Sequence, residues 1–350
     1  MNLPTRSLCA ILVKQNNDLV IDQVELPTKL EVGQVLVKFH YSGICGSQIG
    51  EIDGVKGPDK WLPHLLGHEG TGKVLAIGPG VTRLKINDNV IAHWKPTSTG
   101  IESKPPKYKW RNEIVNAGFV TTFNEYAVIS ENRLSYLEES EDFLAATLYG
   151  CAVTTGFGVV ENKLSNLLGK TAVVFGAGGV GLNVIQALNF SGASEIYAVD
   201  LFDERLKLAK RCGATKTINS MSMDVWEFLK LELRKSGLDI FIDNTGNTEI
   251  MSKGYDLLNG TGDLVFIGVP KKGDLLKIPS LPLHFGKKIT GTHGGEVVPD
   301  KDIPRYMRLL KKRNIELRDI ITEQIKLKDI NVAIKRIRTG QQAGRCIIEF

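Results

Sequence analysis

Hydrophobic and polar positions change their rhythm about 150 residues into this chain. Before that point apolar residues fall in short alternating stretches, at 9–13, 19–24, 34–41, 71–77, 89–94 and 123–129, with Gly, Pro, Asn and Asp between them. A period of two puts one face of a strand in a core and the other in water, and frequent turn residues join such strands into a mostly β domain. From residue 171 the pattern becomes strand, helix, strand. Residues 172–175 are a continuous apolar run, as expected of a strand covered on both faces of a parallel sheet. Leu182, Val184, Ile185, Ala187 and Leu188 then mark one face of a helix, and a second apolar strand covers 195–199. Leu206, Leu208 and Ala209 lie on a helix that Gly213 ends, and strands are predicted at 239–242, 263–269 and 288–295. The tail adds an amphipathic helix over 303–312 and a strand over 345–350. Such alternation predicts an α/β chain built on a doubly wound parallel (Rossmann) sheet, with a second, mostly β domain.

Between the first strand and helix of the parallel unit lies GAGGVG, Gly176 to Gly181, and the second strand ends on Asp200, about twenty residues past the last glycine. The spacing has a physical reading. Gly176 permits the tight turn, Gly178 lets backbone approach a pyrophosphate, and Gly181 lets helix pack on strand. The helix that the run enters turns free N–H groups at its N-terminus and a partial positive charge toward the phosphates, with Gly179 and Val180 in the same run. Asp200 can accept hydrogen bonds from an adenosine ribose and repel a 2′-phosphate, which favours NAD over NADP. Arg205 is the one nearby cation that could meet such a phosphate or lie over the adenosine. Strand C-termini border the ligand in an open parallel sheet, so residues 244–246 and Gly268 with Val269 join the candidate cofactor site.

Three further patches carry candidate chemistry: YSGICGSQ around Cys45, GHEGTG around His68, and YGCAVTTG around Cys151. A Cys and a His more than twenty residues apart are weak evidence for a metal, and a buried thiol and a satisfied imidazole are the commoner case. The flanking glycines let backbone come close to something, and a third thiol just before the dinucleotide unit changes the balance. Two Cys and one His with an open fourth position make a catalytic zinc arrangement.

In the order G-x-C-x-[ST], G-H-E, Cys before T-T-G, then G-x-G-x-x-G, the chain resembles the zinc-dependent medium-chain alcohol and polyol dehydrogenases over nearly its whole length. The resemblance implies a GroES-like catalytic domain over 1–150 plus 293–350, closed by the tail, and a Rossmann domain over 151–292. It implies that Cys45, His68 and Cys151 hold zinc, that Ser47 takes the proton of the substrate hydroxyl, and that Glu69 is an alternative or outer ligand. It places Thr155 and Val180 against the nicotinamide, Arg345 on the pyrophosphate and Trp94 in the substrate pocket. The departures are informative. Residues 95–118, where many relatives carry four cysteines around a structural zinc, contain none, so one catalytic zinc and no structural zinc is expected. Gln48 stands where relatives place an Asp; its carbonyl can accept from a zinc-bound His but brings no charge. Gly50 replaces the histidine that ends some relatives' proton relay.

Bulk properties narrow the reading. A length of 350 residues suggests two domains, and 42% hydrophobic with 24% charged residues is ordinary for a globular chain. The net charge of +5 is too diffuse to imply nucleic acid, and no apolar run approaches membrane-spanning length. The five scattered cysteines do not form a disulfide framework and, with an amino terminus unlike a signal peptide, point to the cytoplasm. His40, His64, His93, His284 and His293 show no ligand-like neighbours in sequence and are expected to be structural. The lysine-rich stretch 95–118 reads as a solvated lobe, or, if it reaches the cleft, as an attractor for an anionic substrate. The expected activity is hydride transfer between NAD and a small-molecule alcohol; the Gly-Ser after Cys45 leans toward a secondary alcohol on a sugar, polyol or cyclitol. The alternatives are a zinc-free quinone or enone reductase of the same superfamily and a non-catalytic nucleotide-binding relative. Relatives form homodimers and homotetramers, so an oligomer is expected.

Overall fold

A computed structural model describes residues 3–350, and the chain divides into two compact units: one reaching to Thr154 and resuming over Val297–Phe350, the other Thr155–Glu296. The divisions fall four residues later than the 150/151 and 292/293 boundaries expected from sequence.

The first unit is mostly β. Arg6–Leu12, Val20–Glu25, Lys107–Trp110, Glu113–Asn116 and His64–Leu65 close a barrel. Beside it a seven-stranded sheet runs in the order Leu134–Leu137, Asn89–His93, Glu69–Ile77, Gln34–Ile44, Arg345–Glu349, Ile321–Lys326, with Tyr126–Ser130 also paired to Gln34–Ile44. The carboxy-terminal strand is therefore an interior strand, pairing Cys346 with Ile44 and Glu349 with Tyr41. Continuous burial fits its place: Arg345, Cys346, Ile347 and Ile348 are all buried, as a strand covered on both faces requires.

The cysteine-free stretch is not an open loop. Lys107–Trp110 and Glu113–Asn116 form a hairpin in which Tyr108 and Trp110 enter the barrel core while Lys107 and Lys109 face outward. Trp110 Nε1 donates to Asp22 at 2.9 Å, and Arg111, stacked on Trp110, pairs with the same carboxylate. Further back, the Glu131 carboxylate accepts the backbone N–H groups of Thr82, Arg83 and Ile101 at 2.8–2.9 Å. Aromatic burial and a carboxylate that ties loops together hold this region.

The second unit is a six-stranded, all-parallel sheet in the order Lys216–Asn219, Glu195–Asp200, Thr171–Phe175, Ile240–Asp243, Asp263–Phe266, Lys288–Gly291. Every residue of Thr171–Phe175, the central strand where the order reverses, is buried. On one face Phe175 stacks on Trp226 at 5.4 Å, and Phe241 packs against both rings. The helix Gly179–Phe190 follows the central strand directly. The strand at 288–295 stops earlier than its sequence suggested, at Gly291, because Gly294 and Gly295 take positive φ.

Candidate active site

Strand pairing and a helix start carry three separated side chains to one place. Cys45 follows the long strand Gln34–Ile44 and precedes the helix Gly46–Ile52; His68 precedes Glu69–Ile77, the strand paired with Gln34–Ile44; Cys151 stands just before the helix Ala152–Lys163. One ligand atom from each of Cys45, His68 and Cys151 lies within 4.8 Å of the others. Both thiols are buried. The Cys45 thiol is held well below the ordinary thiol range, first by a hydrogen bond with Cys151, then by the adjacent His68 ring and the charge of Arg345, against the opposing effect of burial. A thiol so placed releases its proton readily to solvent when a metal cation binds its sulfur. Buried His68 Nε2 has no hydrogen-bond partner among the described residues. Two thiols and an orphaned imidazole nitrogen fit a zinc ion in a three-ligand site.

Gln48 organises this corner differently from the sequence expectation. Its carbonyl accepts the backbone N–H of Cys45 at 3.0 Å, closing the start of the helix, and it is the amide nitrogen that meets His68 Nδ1. An amide nitrogen there donates to Nδ1 and leaves the ring hydrogen on Nε2, so metal binding through Nε2 requires the amide to turn and offer its carbonyl to an Nδ1–H. Ser47, one residue earlier on the same turn, is exposed.

Glu69 and Arg345 face each other inside the first unit. Glu69 is fully buried and outside the Cys/His cluster: its carboxylate pairs with the Arg345 guanidinium and accepts the N–H of Ala152 at 3.3 Å. Arg345, carried over as a pyrophosphate partner, is 4% exposed and turned into the first unit against Glu69. The reason is electrostatic, since a carboxylate at zero exposure needs a partner. Space for Glu69 comes from two glycines. A Cβ on Gly43 would stand 2.2 Å from Glu69 Oε1, and one on Gly150 would stand 2.7 Å from its Cβ. Those glycines, beside Cys45 and Cys151, were the available sign that a bulky side chain passes there.

In the second unit the glycines divide the work. Gly176 has φ +96° at the turn; a Cβ on Gly181 would lie 2.0 Å from the Gly176 carbonyl; a Cβ on Gly178 would meet nothing within 4 Å, leaving open the space a pyrophosphate would take. Gly179 and Val180 open the helix at its N-terminus. Asp200, 6% exposed, accepts the Ala177 N–H at 2.8 Å through one oxygen and the Leu201 and Phe202 N–H groups through the other. Arg205 lies 3.6 Å from that second oxygen, over the Phe202 ring. Sequence reasoning missed Asp243, whose carboxylate accepts the Thr245 hydroxyl and the Thr245 and Gly246 N–H groups, so the 244–246 loop is shaped from its own strand. Gly268 fits against that loop, where its Cβ would come 2.1 Å from Gly246 N; Val269 beside it is 55% exposed, and Thr155 is buried.

Residues 31–139 match the alcohol dehydrogenase GroES-like domain, and residues 179–312 match the zinc-binding dehydrogenase family. The chain belongs to the zinc-type medium-chain alcohol dehydrogenases. It is similar to S-(hydroxymethyl)glutathione dehydrogenase of Paracoccus denitrificans, with 29% identity over 98% of this chain and 100% of the relative. It is equally similar to alcohol dehydrogenase of Malus domestica, at 29% over 99% and 97%. The solved structure of benzyl alcohol dehydrogenase from Acinetobacter calcoaceticus matches with a TM-score of 0.86 at 28% identity, covering 99% of both chains. As a zinc-type alcohol dehydrogenase the chain is an oxidoreductase that works with zinc and a nicotinamide cofactor.

Two of this dehydrogenase's remaining histidines differ in kind. His93 bridges the Lys95 carbonyl and the Ser135 hydroxyl, and burial pushes its imidazole down to about 4. His64, expected to lack ligand-like neighbours, has two: Asp59 at 2.8 Å and Glu51 at 3.9 Å. The loop between Gly50 and His64 hid this, because its turns bring together carboxylates that sequence leaves 5 and 13 residues from the histidine.

Proposed function

We propose that this dehydrogenase oxidises, reversibly and with NAD, a secondary alcohol borne on a sugar, polyol or cyclitol. The observation that carries the reading is the convergence of Cys45, His68 and Cys151 within 4.8 Å. Bound there, zinc supplies a Lewis acid that lowers the pKa of a substrate hydroxyl, and the nicotinamide ring supplies the hydride acceptor. The chain's residues do the rest. Cys45, His68 and Cys151 hold the metal, and Gln48 fixes the His68 ring. Ser47, exposed beside Cys45, takes the hydroxyl proton and hands it to solvent. Glu69 and Arg345 keep a neutral pair behind the ligands, and Glu69 stands as a reserve ligand. Gly176, Gly178, Gly179, Val180 and Gly181 hold the pyrophosphate on backbone N–H groups, and Asp200 holds the adenosine ribose. Arg205 is drawn to Asp200, which supports NAD over NADP. Thr155, Val180, Gly268 and Val269 position the nicotinamide, and Trp94 limits substrate size.

The substrate preference rests on Gly46-Ser47 after Cys45. A homodimer or homotetramer is supported by the sheet's edge strand Lys288–Gly291, with Leu281 and Phe285 exposed just before it. A reducing, cytoplasmic setting is supported by five cysteines, none of them in a disulfide. The deciding experiment is NAD reduction across matched polyols, sugars and primary alcohols. Secondary alcohols of polyols should exceed primary alcohols at least tenfold in kcat/KM. Enone or quinone reduction by folded, zinc-free protein would replace this reading with the zinc-free reductase.

A further inference from the structure

Away from the Cys/His cluster, a second set of ligating side chains converges on His64. Glu51 comes from the last turn of the helix Gly46–Ile52, Asp59 from the following loop, and His64 from the short barrel strand His64–Leu65. One donor atom from each lies within 4.8 Å of the others. The side chains of His64 and Asp59 are 9% and 11% exposed, and that of Glu51 is 44% exposed. The loop is held from outside. Gln15 donates to the Glu51 and Gly57 carbonyls and accepts the N–H of Asp59 at 3.1 Å, while Asn116 holds the Trp61 carbonyl at 2.8 Å.

The histidine tautomer makes this cluster more than an acidic patch. His64 Nδ1 lies 2.9 Å from the Leu65 carbonyl, which only accepts, so Nδ1 carries the hydrogen. In the neutral ring Nε2 then presents a lone pair, yet Asp59 Oδ2 stands 2.8 Å from it and Glu51 Oε1 3.9 Å from it. A lone pair facing carboxylate oxygens needs a cation between them, either a proton or a metal. A proton on Nε2 serves Asp59 alone, because Glu51 at 3.9 Å is beyond hydrogen-bond reach. A metal ion with bonds of about 2.0–2.2 Å accepts donors up to about 4 Å apart, which spans both distances from Nε2. A histidine whose Nδ1–H is fixed on a backbone carbonyl is also the usual pose of a metal-ligating imidazole.

We propose that Glu51, Asp59 and His64 form a second divalent-cation site, for zinc or a similarly borderline metal. The imidazole disfavours calcium and magnesium, and the absence of sulfur separates this site from the thiolate centre. Its metal clamps the loop 53–63 to the helix that begins beside Cys45, in a chain whose 95–118 stretch has no cysteines for a structural zinc.

Titration of chelator-stripped protein with cobalt(II) tests this without using activity. Thiolate-to-cobalt charge transfer reports the Cys45/Cys151 centre, so that band should saturate at one equivalent while total bound cobalt reaches two. His64→Ala should bind one equivalent with the band unchanged, and Cys45→Ala should lose the band and keep the other equivalent. Glu51→Gln, a change at a half-exposed side chain, should raise the dissociation constant of the bandless equivalent at least tenfold, which guards against a His64 variant that fails to fold. Wild-type protein that stops at one equivalent, or His64→Ala that still takes two, overturns the proposal and leaves a proton between His64 and Asp59.

Discussion

The two binding surfaces of this dehydrogenase are made of different material. In the dinucleotide unit the site is largely backbone: one run, Gly176–Gly181, supplies turn, open space and close packing in six consecutive residues. In the catalytic unit the site is side chains, drawn from positions 45 and 68 by strand pairing and from 151 at the start of a helix. A backbone site tolerates change in most side chains but fails when a glycine gains one; a side-chain site fails when one ligand is cut. Mutation of one should therefore leave the other standing.

The strongest test of that separation is Cys45→Ala or His68→Ala. Each should lower kcat by at least ~10³-fold, since the Lewis acid contributes several kcal/mol of transition-state stabilisation, while NAD affinity measured by fluorescence stays within a few-fold. Substantial residual dehydrogenase activity in either variant would falsify the zinc mechanism.

Next in size is Arg345→Met. It leaves the fully buried Glu69 carboxylate without its counter-charge, and breaking one side of a buried pair costs about 3–5 kcal/mol. Chemical denaturation should show that loss, and Glu69→Gln in the same chain should recover part of it. A variant as stable as wild type would mean that the guanidinium is not committed to Glu69 and is free for the pyrophosphate role that resemblance assigned.

These positions also show what the sequence could and could not disclose. Gly176–Gly181 and Asp200 were readable because the physics is local: turn, helix start and strand end follow one another in the chain. Cys45, His68 and Cys151 were readable only once resemblance joined them, since no local rule brings together residues 23 and 83 positions apart. Arg345 was read as a pyrophosphate partner, and its contact with Glu69 depends on which face of an interior strand it occupies. The Glu51/Asp59/His64 set was invisible because a loop of irregular turns determines it. The buried aromatics of the 107–116 hairpin were hidden by their lysine neighbours, which suggested a solvated lobe.

Gly181→Ala is the mirror of the ligand variants. Its Cβ would stand 2.0 Å from the Gly176 carbonyl, backbone that cannot give way cheaply. Overpacking of this kind costs about 1–3 kcal/mol, and the glycine loop absorbs it. NAD affinity should fall while metal content, measured on the same preparation, stays at the wild-type value. Loss of metal as well would show that the two units do not respond independently.

The finest test asks how far the backbone site depends on its one acidic side chain. Asp200 has two jobs in this structure: one oxygen accepts the Ala177 N–H inside the glycine loop, and the other accepts the Leu201 and Phe202 N–H groups with Arg205 nearby. Asp200→Ala removes both the loop brace and the charge proposed to exclude a 2′-phosphate. A hydrogen bond to a charged group contributes about 1.5–3 kcal/mol, so the ratio of kcat/KM for NAD over NADP should fall about 10- to 100-fold, with Arg205 released toward the phosphate. Affinity falling equally for both cofactors, at an unchanged ratio, would assign Asp200 to the loop alone. The discrimination would then lie in the backbone, and the contrast between the two sites would be complete.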